Sequence, residues 1–178
     1  MWFVTWLEAR ANVNQATTDN GMTPLYIAAE NDNLDMVRYL VDEANADVNQ
    51  ARTDNGCTTL YIAAEMDNLD VVRYLAGEAH ADVNQARTDN GSTSLNIAAQ
   101  KGNLDVVRCL AGEAHADVNQ ARTNTGATPL YIAAEMGNLD VVRYLAGEAH
   151  ADVNQAKTDS SDARLVGDAW KEKRAAVR

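Results

Sequence analysis

Three histidines, His80, His115 and His150, and two cysteines, Cys57 and Cys109, are the residues here whose types suggest chemistry at first sight. Imidazoles and thiolates bind metals, move protons and form covalent links, so their spacing decides what they can do. The histidines recur at intervals of 35 residues. A shared zinc needs each nitrogen about 2 Å away, whereas elements repeated at that interval stack helices roughly 8–10 Å apart. The column is repetition and not a chelate. Asp54 and Glu65 have the end-to-end spacing of a calcium loop, but Gly56 falls far too early for its central turn. Each cysteine replaces a different residue type in its own copy, one in a predicted turn and one in a predicted helix. They read as free thiols in a reducing compartment, not as a disulfide framework. No phosphate-binding glycine loop, Gly-x-Ser-x-Gly or Cys-x-x-Cys occurs. No catalytic residue, cofactor or metal is expected, and the chain does not read as an enzyme.

The elements that must carry these residues follow from the period itself. Ala46 to His80 reads ADVNQARTDNGCTTLYIAAEMDNLDVVRYLAGEAH, and residues 81–115 and 116–150 restate it with few changes. Residues 11–45 are a more divergent first copy. Such self-similarity marks a stacked array in which each unit buries its apolar face only against its neighbours. In the second copy, Asp54-Asn55-Gly56 is a turn signal. Thr58 is an N-cap candidate for a helix of about two turns, and Pro24 and Pro129 follow the matching threonines at the first helical position. A break at Met66-Asp67-Asn68 leads into a second helix with Leu69, Val72, Leu75 and Ala76 on one face. Asp32 and Asp67 occupy the break where the later copies have Gly102 and Gly137. If that position is left-handed, each Asp costs about 1 kcal/mol, so the first two copies should be the weaker ones. The Asp35/Arg38, Asp70/Arg73, Asp105/Arg108 and Asp140/Arg143 pairs read as exposed ion pairs worth about 0–1 kcal/mol, not as a binding ladder.

The strings GMTPLYIAA from Gly21, GCTTLYIAA from Gly56, GSTSLNIAA from Gly91 and GATPLYIAA from Gly126, with ADVN at Ala46, Ala81, Ala116 and Ala151, resemble the ankyrin repeat. The resemblance covers about residues 11–156. It implies an all-α solenoid of stacked helix-turn-helix units with hairpin-like loops, a single domain with four full repeats and partial terminal caps. Residues 1–10 form an N-terminal half-repeat cap, 11–45, 46–80, 81–115 and 116–150 are repeats 1 to 4, and 151–178 form a degenerate C-terminal cap. The caps carry Trp2, Trp6 and Trp170, with Ser161-Asp162 starting a last helix. Each repeat is two residues longer than the usual period of about 33. One extra residue is expected in the loop at Glu78-Ala79-His80 and one in the hairpin at Gln85-Ala86-Arg87. The family's first-helix His is replaced by Tyr26, Tyr61, Asn96 and Tyr131, a departure that bears on the hydrogen bonds between repeats and not on the fold.

The formal net charge of −11 is uneven. Acids outnumber bases six to one in repeat 1 and six to two in repeat 2, against four to three and four to two in repeats 3 and 4. An acidic surface disfavours nucleic acid and anionic lipid and favours basic partners, and no apolar run approaches a membrane span. A cytoplasmic monomer is expected, with a nuclear location as the alternative. The resemblance implies a scaffold or adaptor that binds a protein through hairpin tips and exposed first-helix positions. On this chain those are Asp19, Asn20, Met22, Glu30 and Asn31 in repeat 1, and Asp54, Asn55, Cys57, Glu65 and Met66 in repeat 2. Asp89, Asn90, Ser92, Gln100 and Lys101 match them in repeat 3, and Asn124, Thr125, Ala127, Glu135 and Met136 in repeat 4. The acidic first two repeats suit a basic or Arg-containing segment of the partner. Two other readings fit the same residues: a spacer or fragment of a longer array without its own ligand, and a targeting or regulatory part of a larger enzyme.

Overall fold

Four threonines start the architecture. Each of Thr23, Thr58, Thr93 and Thr128 accepts a hydrogen bond at 3.1–3.2 Å from the backbone N–H three residues on, closing the first turn of a short helix. The computed structural model describes residues 12–155. Within them the first helices of the four repeats are α1 (Pro24–Glu30), α3 (Thr59–Glu65), α5 (Ser94–Lys101) and α7 (Pro129–Glu135). The second helices are α2 (Leu34–Arg38), α4 (Leu69–Arg73), α6 (Leu104–Arg108) and α8 (Leu139–Gly147). Each first helix packs on the first helix of the next repeat, and each second helix on its own first helix. Among the described residues there is no strand, and the loops between repeats are reversed by turns. The helix-turn-helix solenoid expected from the period is the observed fold. The expected cap at 1–10 and, apart from residues 151–155, the one at 151–178 lie outside the described residues, and so do all three tryptophans.

The core is one column of side chains per register position. Leu25, Leu60, Leu95 and Leu130 are buried in the first helices, and Leu40, Leu75, Leu110 and Leu145 in the second. Alanine pairs such as Ala63-Ala64 and Ala98-Ala99 are fully enclosed, since only a methyl group fits where neighbouring helices approach closely.

The second helices end differently from the expectation. After Arg38, Arg73 and Arg108 the chain runs into π turns at Tyr39–Glu43, Tyr74–Glu78 and Cys109–Glu113. The N–H of Ala44, Ala79, Ala114 and Ala149 each reaches the carbonyl five residues back, at 2.9–3.1 Å. A π turn holds one residue more than an α turn. The extra residue expected in the loop at Glu78-Ala79-His80 is therefore absorbed by the helix end. The next residue, Asn45, His80, His115 or His150, is left-handed, with φ between 54° and 60°. It lets the following alanine N–H close on the carbonyl of Leu40, Leu75, Leu110 or Leu145 at 2.8–2.9 Å. The histidine column thus has a backbone role, and no metal-capable cluster of His, Cys, Asp and Glu occurs among the described residues.

Candidate protein-binding surface

Two rows of residues lie along one side of the stack. The first row is the turn tips. The N–H of Thr88 donates to Asn55 O and that of Thr123 to Asn90 O, each at 3.0 Å, so successive tips touch. The second row is the C-terminal ends of the first helices, where Lys101 Nζ meets Glu65 Oε1 of the preceding repeat at 3.3 Å. Arg122 bridges the rows, its Nη2 donating to Gln100 Oε1 at 2.6 Å. The structure links several of the expected contact residues from repeat to repeat, buries most of one of their five columns and ties another into its own turns.

The column Met22, Cys57, Ser92, Ala127 is the clearest correction. Cys57, Ser92 and Ala127 are buried at 3%, 0% and 4% exposure, and only Met22 is partly open. The position points between repeats and not toward a partner, so its variability is variation of packing. Cys57 Sγ lies 3.8 Å from the Tyr26 hydroxyl, and burial pushes its thiol pKa up. Cys109 is likewise buried, with its pKa also raised by burial. The column Asn20, Asn55, Asn90, Thr125 holds its own turn. Asn55 Oδ1 and Asn90 Oδ1 accept the N–H two residues on at 2.8 Å, Asn20 Oδ1 that of Met22 at 3.2 Å, and Thr125 Oγ1 that of Ala127 at 3.3 Å.

Three columns remain open. Asp19, Asp54, Asp89 and Asn124 are exposed at the tips, and Asn31, Met66, Lys101 and Met136 are exposed at the helix ends. Glu30, Glu65 and Gln100 are half-buried beside them, and Glu135 is exposed.

An arginine column that spacing alone did not single out sets the electrostatics of this surface. Arg52 grips Asp54 with Nε and Nη2, at 3.1 and 2.5 Å, and lies over the Tyr26 ring at 5.5 Å. Arg87 repeats the arrangement with Asp89, at 3.0 and 2.6 Å, over the Tyr61 ring at 5.3 Å. The recurring Arg-Thr-Asp string was the available signal. These carboxylates, hydrogen-bonding the guanidiniums, raise the pKa of both arginines. In repeat 1 Thr17 stands where the arginine would be, and neither Asp19 nor Glu30 makes an ion pair among the described residues.

Asparagines add bonds between repeats to those that Tyr26 and Asn96 make from the first-helix position itself. Asn14, Asn49, Asn84 and Asn119 each accept the N–H of Asp47, Asp82, Asp117 and Asp152 in turn, at 2.8 Å. Asn68, Asn103 and Asn138 each donate Nδ2 to the carbonyl of Ala29, Ala64 or Ala99 in the preceding repeat, at 2.7–2.9 Å. The Asp/Arg pairs of the second helices are only partly intra-repeat. Arg108 and Arg143 meet Asp105 and Asp140 at 3.6 and 3.2 Å, but Arg38 and Arg73 reach forward to Glu78 and Glu113 at 3.2 and 3.8 Å. All are largely solvent-exposed, which keeps them weak.

Compared with known proteins, residues 2–87 and 79–157 match a family model described as ankyrin repeats (3 copies). No curated protein matches the chain.

Proposed function

The chain belongs to the ankyrin-repeat family, and from that premise we propose that it is a protein-binding module that takes a basic segment of its partner along the turn tips and first-helix ends. Ankyrin repeats are generally protein–protein interaction modules and typically not catalysts. Among the described residues no helix is long and apolar enough to cross a membrane. A cytoplasmic, monomeric adaptor or scaffold without catalytic activity is the reading these features favour.

The observation that carries the proposal is the uncompensated acid at one end of the open surface. Asp19 and Glu30 make no ion pair among the described residues, although Arg52 acts on Asp19 from a distance, whereas Asp54, Asp89 and Glu65 are already paired with Arg52, Arg87 and Lys101. A basic side chain arriving at repeat 1 therefore displaces no internal pair. Charge of this kind acts first on the rate of association. The test is selection of a displayed random peptide library on the whole chain and on the Glu30→Lys, Glu65→Lys double variant. Lys- and Arg-rich sequences are expected to be enriched on the parent and lost on the variant. Enrichment indifferent to that charge reversal would sink the reading.

A further inference from the structure

Arg122 is the member of the arginine column that lost both of its internal partners. Asn124 stands where Asp54 and Asp89 grip the earlier arginines, and Asn96 stands where Tyr26 and Tyr61 supply a ring. Asn96 turns inward instead, accepting the Thr93 N–H at 2.9 Å and donating to Gln120 O at 3.3 Å. The guanidinium of Arg122 settles on neutral groups, with Nε donating to Ser92 Oγ at 3.3 Å and Nη2 to Gln100 Oε1 at 2.6 Å. It makes no ion pair among the described residues, and its Nη1, without a hydrogen-bond partner there, is not among the buried atoms. Burial lowers its pKa, the reverse of the shift at Arg52 and Arg87, yet an arginine stays charged across the physiological range. A half-buried cation held only by a hydroxyl and an amide retains its affinity for a carboxylate.

We infer that Arg122, with Gln100 and Ser92 orienting it, is an anchor for a carboxylate of the bound partner. This rests on the reading above that the turn tips and first-helix ends form an inner binding face, and deepens it by giving the partner a direction. Of the two acids, Glu30 ends α1, and the unpaired cation lies beside α5, two helix steps or roughly 16–20 Å away. An extended chain crosses that distance in about five or six residues. The partner segment therefore carries a basic group and, about five or six residues along, an acidic one. Glu135, in the column of first-helix ends, acts on the guanidinium electrostatically but makes no ion pair with it among the described residues.

The test reads the Nε–Hε resonances of Arg52, Arg87 and Arg122 in the whole chain during titration with N-acetyl-glutamate N-methylamide. The uncharged glutamine analogue is the control. Arg122 is expected to shift saturably with the acid alone, while Arg52 and Arg87, already paired, stay put. Asn124→Asp rebuilds the internal pair at an exposed position and should weaken the acid's binding by about tenfold or more. An unmoved Arg122, an equal response to the neutral analogue, or unchanged binding in Asn124→Asp would overturn the anchor. A second arm adds a glutamate six residues along a selected basic peptide. If the basic peptide binds and the glutamate adds nothing, the anchor fails while the inner-face reading stands. If the small acid binds at Arg122 and no peptide is selected, the anchor stands and the inner-face reading fails.

Discussion

Repeats 1–2 and repeats 3–4 share one frame and present opposite electrostatics along the open surface. The frame is the same throughout: threonine caps, leucine columns, asparagine ladders and left-handed residues at fixed positions. The first pair of repeats has Asp in the turn between helices and, in repeat 1, Asp19 and Glu30 without an ion pair among the described residues. The second pair has Gly in that turn, an amide in place of one inner carboxylate at Gln100, and an unpaired arginine at Arg122. Some differences fall where a side chain is free or strained, and others, as at Cys57, Ser92 and Ala127, are changes of packing inside the stack. The functional information is in the departures.

Glycine at the turn tips gives the largest test of the shared frame. A Cβ at Gly56 or Gly91 would lie 2.6 or 2.5 Å from the backbone nitrogen of Thr88 or Thr123, at φ of 72° or 71°. Gly56→Ala and Gly91→Ala should therefore each lower stability by more than about 3 kcal/mol in denaturant melts, to a similar extent in the two halves. Gly137→Ala meets nothing within 4 Å and should lose only the left-handed penalty of about 1 kcal/mol. Unequal effects at Gly56 and Gly91 would break the claim of a common frame.

The inter-helix turn should separate the halves. Asp32 and Asp67 are left-handed, with φ of 54° and 65°, as are Gly102 and Gly137 at 83° and 76°. Asp32→Gly and Asp67→Gly should each gain about 1 kcal/mol, and hydrogen exchange should find residues 12–80 the less protected part before those changes and not after. Asp67 adds a pH dependence. Burial first, and then Asp105, raises its pKa. A raised carboxyl pKa favours the protonated form on folding, so this contribution is present below the unfolded pKa and lost as pH rises through the folded one. The gain from Asp67→Gly should accordingly be larger at neutral pH than below about pH 4.

A smaller effect is expected at the first-helix start of repeat 2. Thr59 occupies the position of Pro24 and Pro129, and its Oγ1 is buried without a hydrogen-bond partner. Thr58 before it has φ of −90° and ψ of 166°, a conformation that tolerates a following proline. Thr59→Pro should raise stability by up to about 1 kcal/mol, measured by thermal melting. Smallest of all, Glu78→Ala removes the exposed partner of Arg38 and should change stability by less than about 1 kcal/mol, with little left at high salt.

Most of the fold was legible because the period repeats the same caps and apolar spacings four times, each copy confirming the last. Thr58 and its equivalents were readable as caps, and Asp67 as a left-handed turn residue, from local chemistry alone. The π turn was not, since an extra residue in a helix end and one in a loop leave the same string Glu78-Ala79-His80. The contact surface was half legible. Asp54 and Cys57 stand three residues apart in one turn, yet one is exposed and the other packs against Tyr26 of the preceding repeat. That distinction depends on the neighbouring repeat, which the spacing within one repeat does not contain. The arginine column does not stand out in the sequence because its partners lie partly in another repeat, as with Arg122 and Gln100.

Carboxyl-selective footprinting of the whole chain, with and without a selected basic peptide, tests the central claim most directly. Protection should appear at Asp19 and Glu30, more weakly at Asp54 and Glu65, and not at Asp35, Asp70, Asp105 and Asp140 on the second helices. Protection confined to the second-helix carboxylates would contradict it.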